Sequence, residues 1–186
     1  GEHSVNDSSH HVLAEIRFVE RWLATGRPYL GLCLGAQFLA RALDAPVLRH
    51  RHGLLESGFV RIDPTPVAEP LFDTPAHVFQ WHNEGFELPQ GCELLATGTR
   101  FANQAFRYGR YVVGLQFHPE VTPGIMLQWF REGGHMLTDP GAKSAEWQVR
   151  DAMVFTPAIE SWTRGFLANW LTGTEDHLPD LFRRHG

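Results

Sequence analysis

The chain has 186 residues, 43% hydrophobic, 12% aromatic and 20% charged. That is a globular composition of about one domain, which excludes collagen, an extended disordered chain and a disulfide scaffold. Sixteen basic residues against 21 acidic ones leave a formal net charge of −5, which argues against a broad nucleic-acid or anionic-membrane footprint.

In chain order, the polar opening from Gly1 to Asp7 leads into a predicted helix over His11–Ala24, with Val12, Ile16, Val19 and Leu23 on one stripe. Ser8 or Ser9 can cap it, and Gly26 with Pro28 ends it. Pro28 to Leu34 is a short apolar run of the kind found in buried strands, broken by Gly35 before a helix over Ala36–Leu43. Helix, buried strand, glycine turn and helix together predict an α/β domain with a parallel sheet. Five further strands are expected, over Gly58–Ile62, His77–Trp81, Glu93–Thr97, Gln104–Tyr108 and Tyr111–Phe117, the last two joined by a hairpin at Gly109-Arg110. Thr122-Pro123 should cap a helix that runs to about Arg131 and stops at Gly133-Gly134. Two tail helices are expected, near Ser144–Met153 and Pro157–Leu171, the second opened by Thr156-Pro157. No apolar run approaches the roughly 20 residues of a spanning helix, and the cytoplasm is the expected compartment.

Chemistry concentrates in two places. Gly31-Leu32-Cys33-Leu34-Gly35 has the Gly-x-nucleophile-x-Gly form of a strand-to-helix elbow, which holds the central side chain out at the sheet's edge. A cysteine there sits at a helix N-terminus, where the dipole favours thiolate, and the N–H of Leu34 can face a developing oxyanion. A lone cysteine in an apolar run is more often a small buried hydrophobe, so the elbow alone decides nothing. The second place, Gly114 to Glu120, supplies His118 and Glu120 at a predicted strand end. There the imidazole can serve the thiol, and the carboxylate can orient the imidazole.

Together, Gly31 to Gln37 and Gln116-Phe117-His118-Pro119-Glu120 resemble the paired signatures of class I glutamine amidotransferases. Asn103 to Gly109, Gly114 to Thr122 and Phe79-Gln80-Trp81-His82 look most like the stand-alone GMP-synthase-like type. The resemblance implies a three-layer flavodoxin-like fold with a mostly parallel sheet, and a glutaminase that needs no cofactor and no metal. In it, Cys33 is the nucleophile, His118 the base, Glu120 its orienting group and the N–H of Leu34 an oxyanion donor. Gln37, Asn83, Gly85 and Phe86 would line the glutamine site. Relatives of this type usually read His-Gly-Asp where this chain has His82-Asn83-Glu84.

In such proteins a Gly-Gly-Pro-like loop precedes Ser-Val-Asn-Asp and supplies a second oxyanion donor. Here only Gly1, Glu2 and His3 precede Ser4-Val5-Asn6-Asp7. The expectation is therefore a single domain over 1–186 lacking its N-terminal β-α units, with residues 143–174 as a helical extension packed on it. The partners implied are L-glutamine or a γ-glutamyl compound and a separate ammonia-accepting synthetase, with a homo-oligomer left open. The competing reading is a non-catalytic or redox-responsive module that keeps an elbow cysteine. His50, His52 and His82 lack a carboxylate or cysteine at ligand spacing, and Cys92 reads as structural. Trp162, Phe166 and Trp170 mark one helix face, expected to dock on the sheet.

Overall fold

The computed structural model describes residues 4–69 and 76–174. Helix α1 (His10–Leu23) is capped by Ser9, whose side chain accepts from the Val12 N–H. Strand β1 (Tyr29–Leu32) runs directly into α2 (Leu34–Ala42) through Cys33. Then come β2 (Val47–Arg49), β3 (Glu56–Pro64), β4 (Ala76–His82), β5 (Glu84–Phe86), β6 (Glu93–Gly98), β7 (Asn103–Tyr108) and β8 (Val112–Leu115). Helix α3 (Pro123–Glu132) opens at a Thr122 cap with Pro123 in its first turn, and a 3-10 turn (Gly134–Thr138) precedes α4 (Ala145–Thr174).

Six strands form a mixed sheet in the order β1-β8-β7-β6-β3-β4. The β1–β8 pairing is parallel, with Gly31 opposite Gly114 and Leu32 opposite Leu115. The other four pairings are antiparallel, as short connections such as the Gly109 turn (φ 62°) require. Two strands that the sequence pattern does not predict, β2 and β5, make a small separate sheet. Each has 3 residues, too few to show an alternation.

Strand alternation sorts the side chains into layers. Leu30, Leu32, Val113 and Leu115 face one side, where Ile159, Trp162, Phe166 and Trp170 of α4 cover them. Tyr29 and Val112 face the other side, against Val19 of α1 and Ala36, Leu39 and Ala40 of α2. A third cluster, with Phe59, Phe79, Trp81, Met126 and Ala152, joins the β3–β4 end of the sheet to α3 and the start of α4.

The tail differs from expectation. Instead of two helices divided at Thr156-Pro157, α4 is one helix of 30 residues with Pro157 inside it. Ala152, Ile159 and Phe166 are all buried and recur at heptad spacing, so one face stays in phase across the proline. Burial on both sides of Pro157 outweighs the local cost of its missing N–H.

Candidate active site

Two adjacent parallel strands deliver the two halves of the site to the same sheet edge. Cys33 follows β1 and donates its backbone N–H to Leu115 O of β8 at 2.7 Å, so the elbow is tied to the strand that carries the histidine. Its backbone sits at φ 47°, ψ −105°, a region that costs a non-glycine residue roughly 1–3 kcal/mol. Such strain is characteristic of a nucleophile elbow. The turn is tight enough that a Cβ on Gly31 would lie 2.6 Å from Gly35 backbone atoms. The Tyr29 hydroxyl donates to Gly35 O at 3.0 Å and braces the turn from beneath. Burial, helped by Glu15, pushes that phenol up to about 12, so it remains a donor across the working pH range. Leu34 opens α2, where the first N–H groups have no partner within the helix.

Past β8 the chain runs through Gln116 and Phe117, both fully buried, to His118. The backbone N–H of His118 donates to Phe79 O of β4 at 2.8 Å, and its ring meets Trp129 of α3 edge to face, 4.8 Å between centroids. His118 Nδ1 lies 2.7 Å from Glu120 Oε1, which leaves the other ring nitrogen clear of the carboxylate, in the cavity that Cys33 also lines. Burial alone would disfavour the imidazolium. The neighbouring Cys33 sulfur, joined by the hydrogen bond and charge of Glu120, outweighs it and pushes His118 up to about 9. The structure therefore places Cys33 and His118 on the wall of one cavity, with Glu120 hydrogen-bonded to the imidazole. Cys92 is different: burial pushes its thiol up to about 11.

A cavity of about 570 Å³ opens beside Cys33 and His118, within the usual range for a small-molecule site. Leu32, Leu34, Trp81, Trp129, Glu132, Gly133, His135 and Met136 complete its walls. Most of these were not anticipated. Trp81 enters the sequence reading only through the Phe79–His82 motif and a predicted strand, Trp129 lies within the helix expected to run to Arg131, and His135 follows a helix stop with no motif around it.

The other expected binding residues lie elsewhere. Gln37 is buried behind Cys33, its Nε2 2.9 Å from Glu84 O and 3.4 Å from Gln116 Oε1. Asn83 is exposed between β4 and β5. Gly85 pairs with Leu48 in the small sheet, and Phe86 is buried against Phe106 at 4.8 Å. None of these four lines the cavity. The segment around Asn83–Phe86, expected as a substrate-holding loop, is largely strand, and Phe86 is used for packing. His82 points its Nδ1 at Glu84 O, 2.7 Å away, and its Nε2 at Glu56 Oε2, 3.2 Å away, while His50 packs near Phe101 and His52.

Among the described residues, no helix is long and apolar enough to cross a membrane. The chain is similar to known amidotransferases in both sequence and structure. It is 29% identical over 112 residues to the glutamine amidotransferase-like protein YfeJ of Salmonella typhimurium, covering 59% of this chain and 47% of that protein. It is 32% identical over 107 residues to a subunit of the glutamine-hydrolyzing GMP synthase of Sulfurisphaera tokodaii, covering 55% of this chain and 56% of that one. The chain thus spans about half the length of these two relatives. Among solved structures, a glutamine amidotransferase from Methylobacillus flagellatus matches with a TM-score of 0.86 and 25% identity, over 100% of this chain and 78% of that one. One from Thermotoga maritima matches at 0.80 and 28% identity, over 92% and 75%. The family model for class-I glutamine amidotransferases covers residues 5–133. With this match over well over half its length and the flavodoxin-like fold of its structural neighbours, the chain belongs to the class I glutamine amidotransferase family.

Proposed function

We propose that the protein hydrolyses the side-chain amide of glutamine through a Cys33 thioester and releases ammonia for a separate acceptor enzyme. The observation that supports this reading best is the placing of Cys33 and His118 on one cavity wall, with Glu120 2.7 Å behind the imidazole and His118 raised to about 9. A base held in its charged form beside a sulfur is poised for acyl transfer, and a redox-responsive cysteine has no need of a carboxylate behind the imidazole. In the first step the thiolate attacks the amide carbon, and the carbonyl oxygen becomes an oxyanion facing the N–H of Leu34. As the C–N bond breaks, the His118 imidazolium gives its proton to the departing nitrogen, which leaves as ammonia. Neutral His118 then takes a proton from water as the water attacks the thioester. Glutamate leaves, and the thiolate–imidazolium pair returns. Glu120 keeps one ring nitrogen protonated throughout and supports the positive charge that forms.

The size and aromatic walls of the cavity, with Trp81, Trp129 and Met136, favour a second reading in which a γ-glutamyl compound with an apolar substituent is the substrate. The same three residues would act, and an amine larger than ammonia would leave.

Ammonia release from L-glutamine, with and without Cys33→Ala, tests the first reading. A glutamine-analogue electrophile should label Cys33, spare Cys92 and be blocked by glutamine. Equal labelling of both thiols would count against it. Cys33-dependent release of an amine from γ-glutamyl compounds, with none from glutamine, would support the second.

A further inference from the structure

Gln116 is the first residue beyond β8. It is fully buried, and its backbone N–H donates to Gln104 O at 2.8 Å. Its side-chain carboxamide has Nε2 3.7 Å from Cys33 Sγ and Oε1 3.4 Å from Gln37 Nε2. A carboxamide can be turned end for end, so it matters which end the surroundings require at the sulfur. Gln37 answers this. The Glu84 carbonyl oxygen only accepts hydrogen bonds, so the end of Gln37 that meets it at 2.9 Å is the NH2 group. That same NH2 group reaches Gln116, and so it must meet Oε1 there. The NH2 group of Gln116 is then left facing Sγ.

The Glu84 carbonyl is itself held by a second donor, His82 Nδ1 at 2.7 Å. Behind His82 stands the buried Glu56 carboxylate, 3.2 Å from Nε2, which accepts from Gln104 Nε2 at 3.1 Å. The direction of each donor in this run is dictated by an acceptor that cannot reverse.

We propose that Gln116 is a further catalytic residue whose carboxamide donates to Cys33 Sγ and holds the thiolate, with Gln37 as the positioning residue that fixes the donor's direction. A hydrogen bond to the charged form favours that form. At pH values where the thiol is only partly ionised, the gain in thiolate population exceeds the accompanying loss of nucleophilicity, because nucleophilicity falls with only about half the slope. The titratable groups around the sulfur are His118, backed by Glu120, and Glu132 of α3 and His135 of the 3-10 turn on the cavity wall. Gln116 adds an uncharged donor that does not switch off with pH. The proposal rests on the reading of Cys33 as nucleophile.

The test is alkylation by iodoacetamide on the rising acid limb of the Cys33 pH–rate profile, with Cys33 and Cys92 followed separately by peptide mass spectrometry. In the unaltered chain Cys33 should react much faster than Cys92. If it does not, the nucleophile reading itself fails, independently of Gln116. With Gln116→Met, which keeps the volume and removes the donor, Cys33 should react roughly threefold more slowly while Cys92 is unchanged. An unchanged Cys33 rate with an unchanged Cys92 rate overturns the proposal. Faster reaction at Cys92 signals an opened fold, and the decision then passes to Gln37→Met, which leaves Gln116 in place but frees its amide to turn. There, several-fold slower Cys33 alkylation with Cys92 protected supports the proposal, and any other pattern overturns it. A purely structural role would alter Cys92 protection without selectively slowing Cys33.

Discussion

Cys33 sits where L-residues rarely go, at φ 47°, and two replacements that both lack the thiol isolate the cost of that conformation. Cys33→Gly should be more stable than Cys33→Ala by about 1 kcal/mol in urea titrations, reversing the usual order in which glycine is the weaker residue. The charge on His118 makes a second prediction. A group pushed up to about 9 is protonated below that pH and loses its proton as pH rises through it. The leaving group then loses its acid, so turnover should fall along an alkaline limb near 9. Glu120→Gln removes a charge that supports the imidazolium, so a pH profile should show the limb moved to lower pH. Cys33, His118 and Glu120 were legible because each lies in a short contiguous motif whose local geometry does the positioning. Gly85 and Phe86 were not, because whether a side chain lines a cavity or fills a core is decided by distant partners, here Phe101 and Phe106.

At the scale of elements, most boundaries were readable from caps and glycines. Thr122 with Pro123 opens α3 and Gly133 ends it, while Ser9 opens α1. Helix α4 is one helix although Thr156-Pro157 looks locally like a start. The stronger signal is the phase of Gln148, Ala152, Ile159 and Phe166, all buried, which runs unbroken through the proline. The continuity leaves a trace: Thr156 Oγ1 is buried without a hydrogen-bond partner. Thr156→Val keeps the shape and removes that hydroxyl, so it should stabilise the protein by about 1 kcal/mol in thermal or chemical unfolding. Strands β2 and β5 escape a sequence pattern for a different reason. Val47–Arg49 and Glu84–Phe86 are strands only because they pair with each other, and nothing within either segment announces the partner.

Across the whole molecule, α1 and α2 close one face of the sheet and α4 the other. Phe166, 3% exposed, stacks on Trp162 at 5.0 Å in the layer that covers β1 and β8. Phe166→Ala should therefore cost about 3–5 kcal/mol of folding free energy, read from the shift of the denaturant midpoint. That layer lies directly behind the strands carrying Cys33 and His118, so the loss should also slow turnover in the molecules that remain folded. The α/β grammar was visible in the sequence near Cys33, where helix, strand and helix follow at short range. The mixed character of the sheet was less visible, because strand direction depends on which runs become neighbours. The parallel pairing of β1 with β8 has one more consequence. Leu32 stands opposite Leu115, so Cys33 and His118 are counted off from a common line, one residue beyond it on one strand and three on the other. An inserted or deleted residue between Gly31 and Cys33, or between Gly114 and His118, would turn the reactive side chain to the opposite side of the sheet. The site thus tolerates drift in what surrounds these two intervals far better than any change in their length, and counting those residues is a quick way to tell an intact site from a lost one.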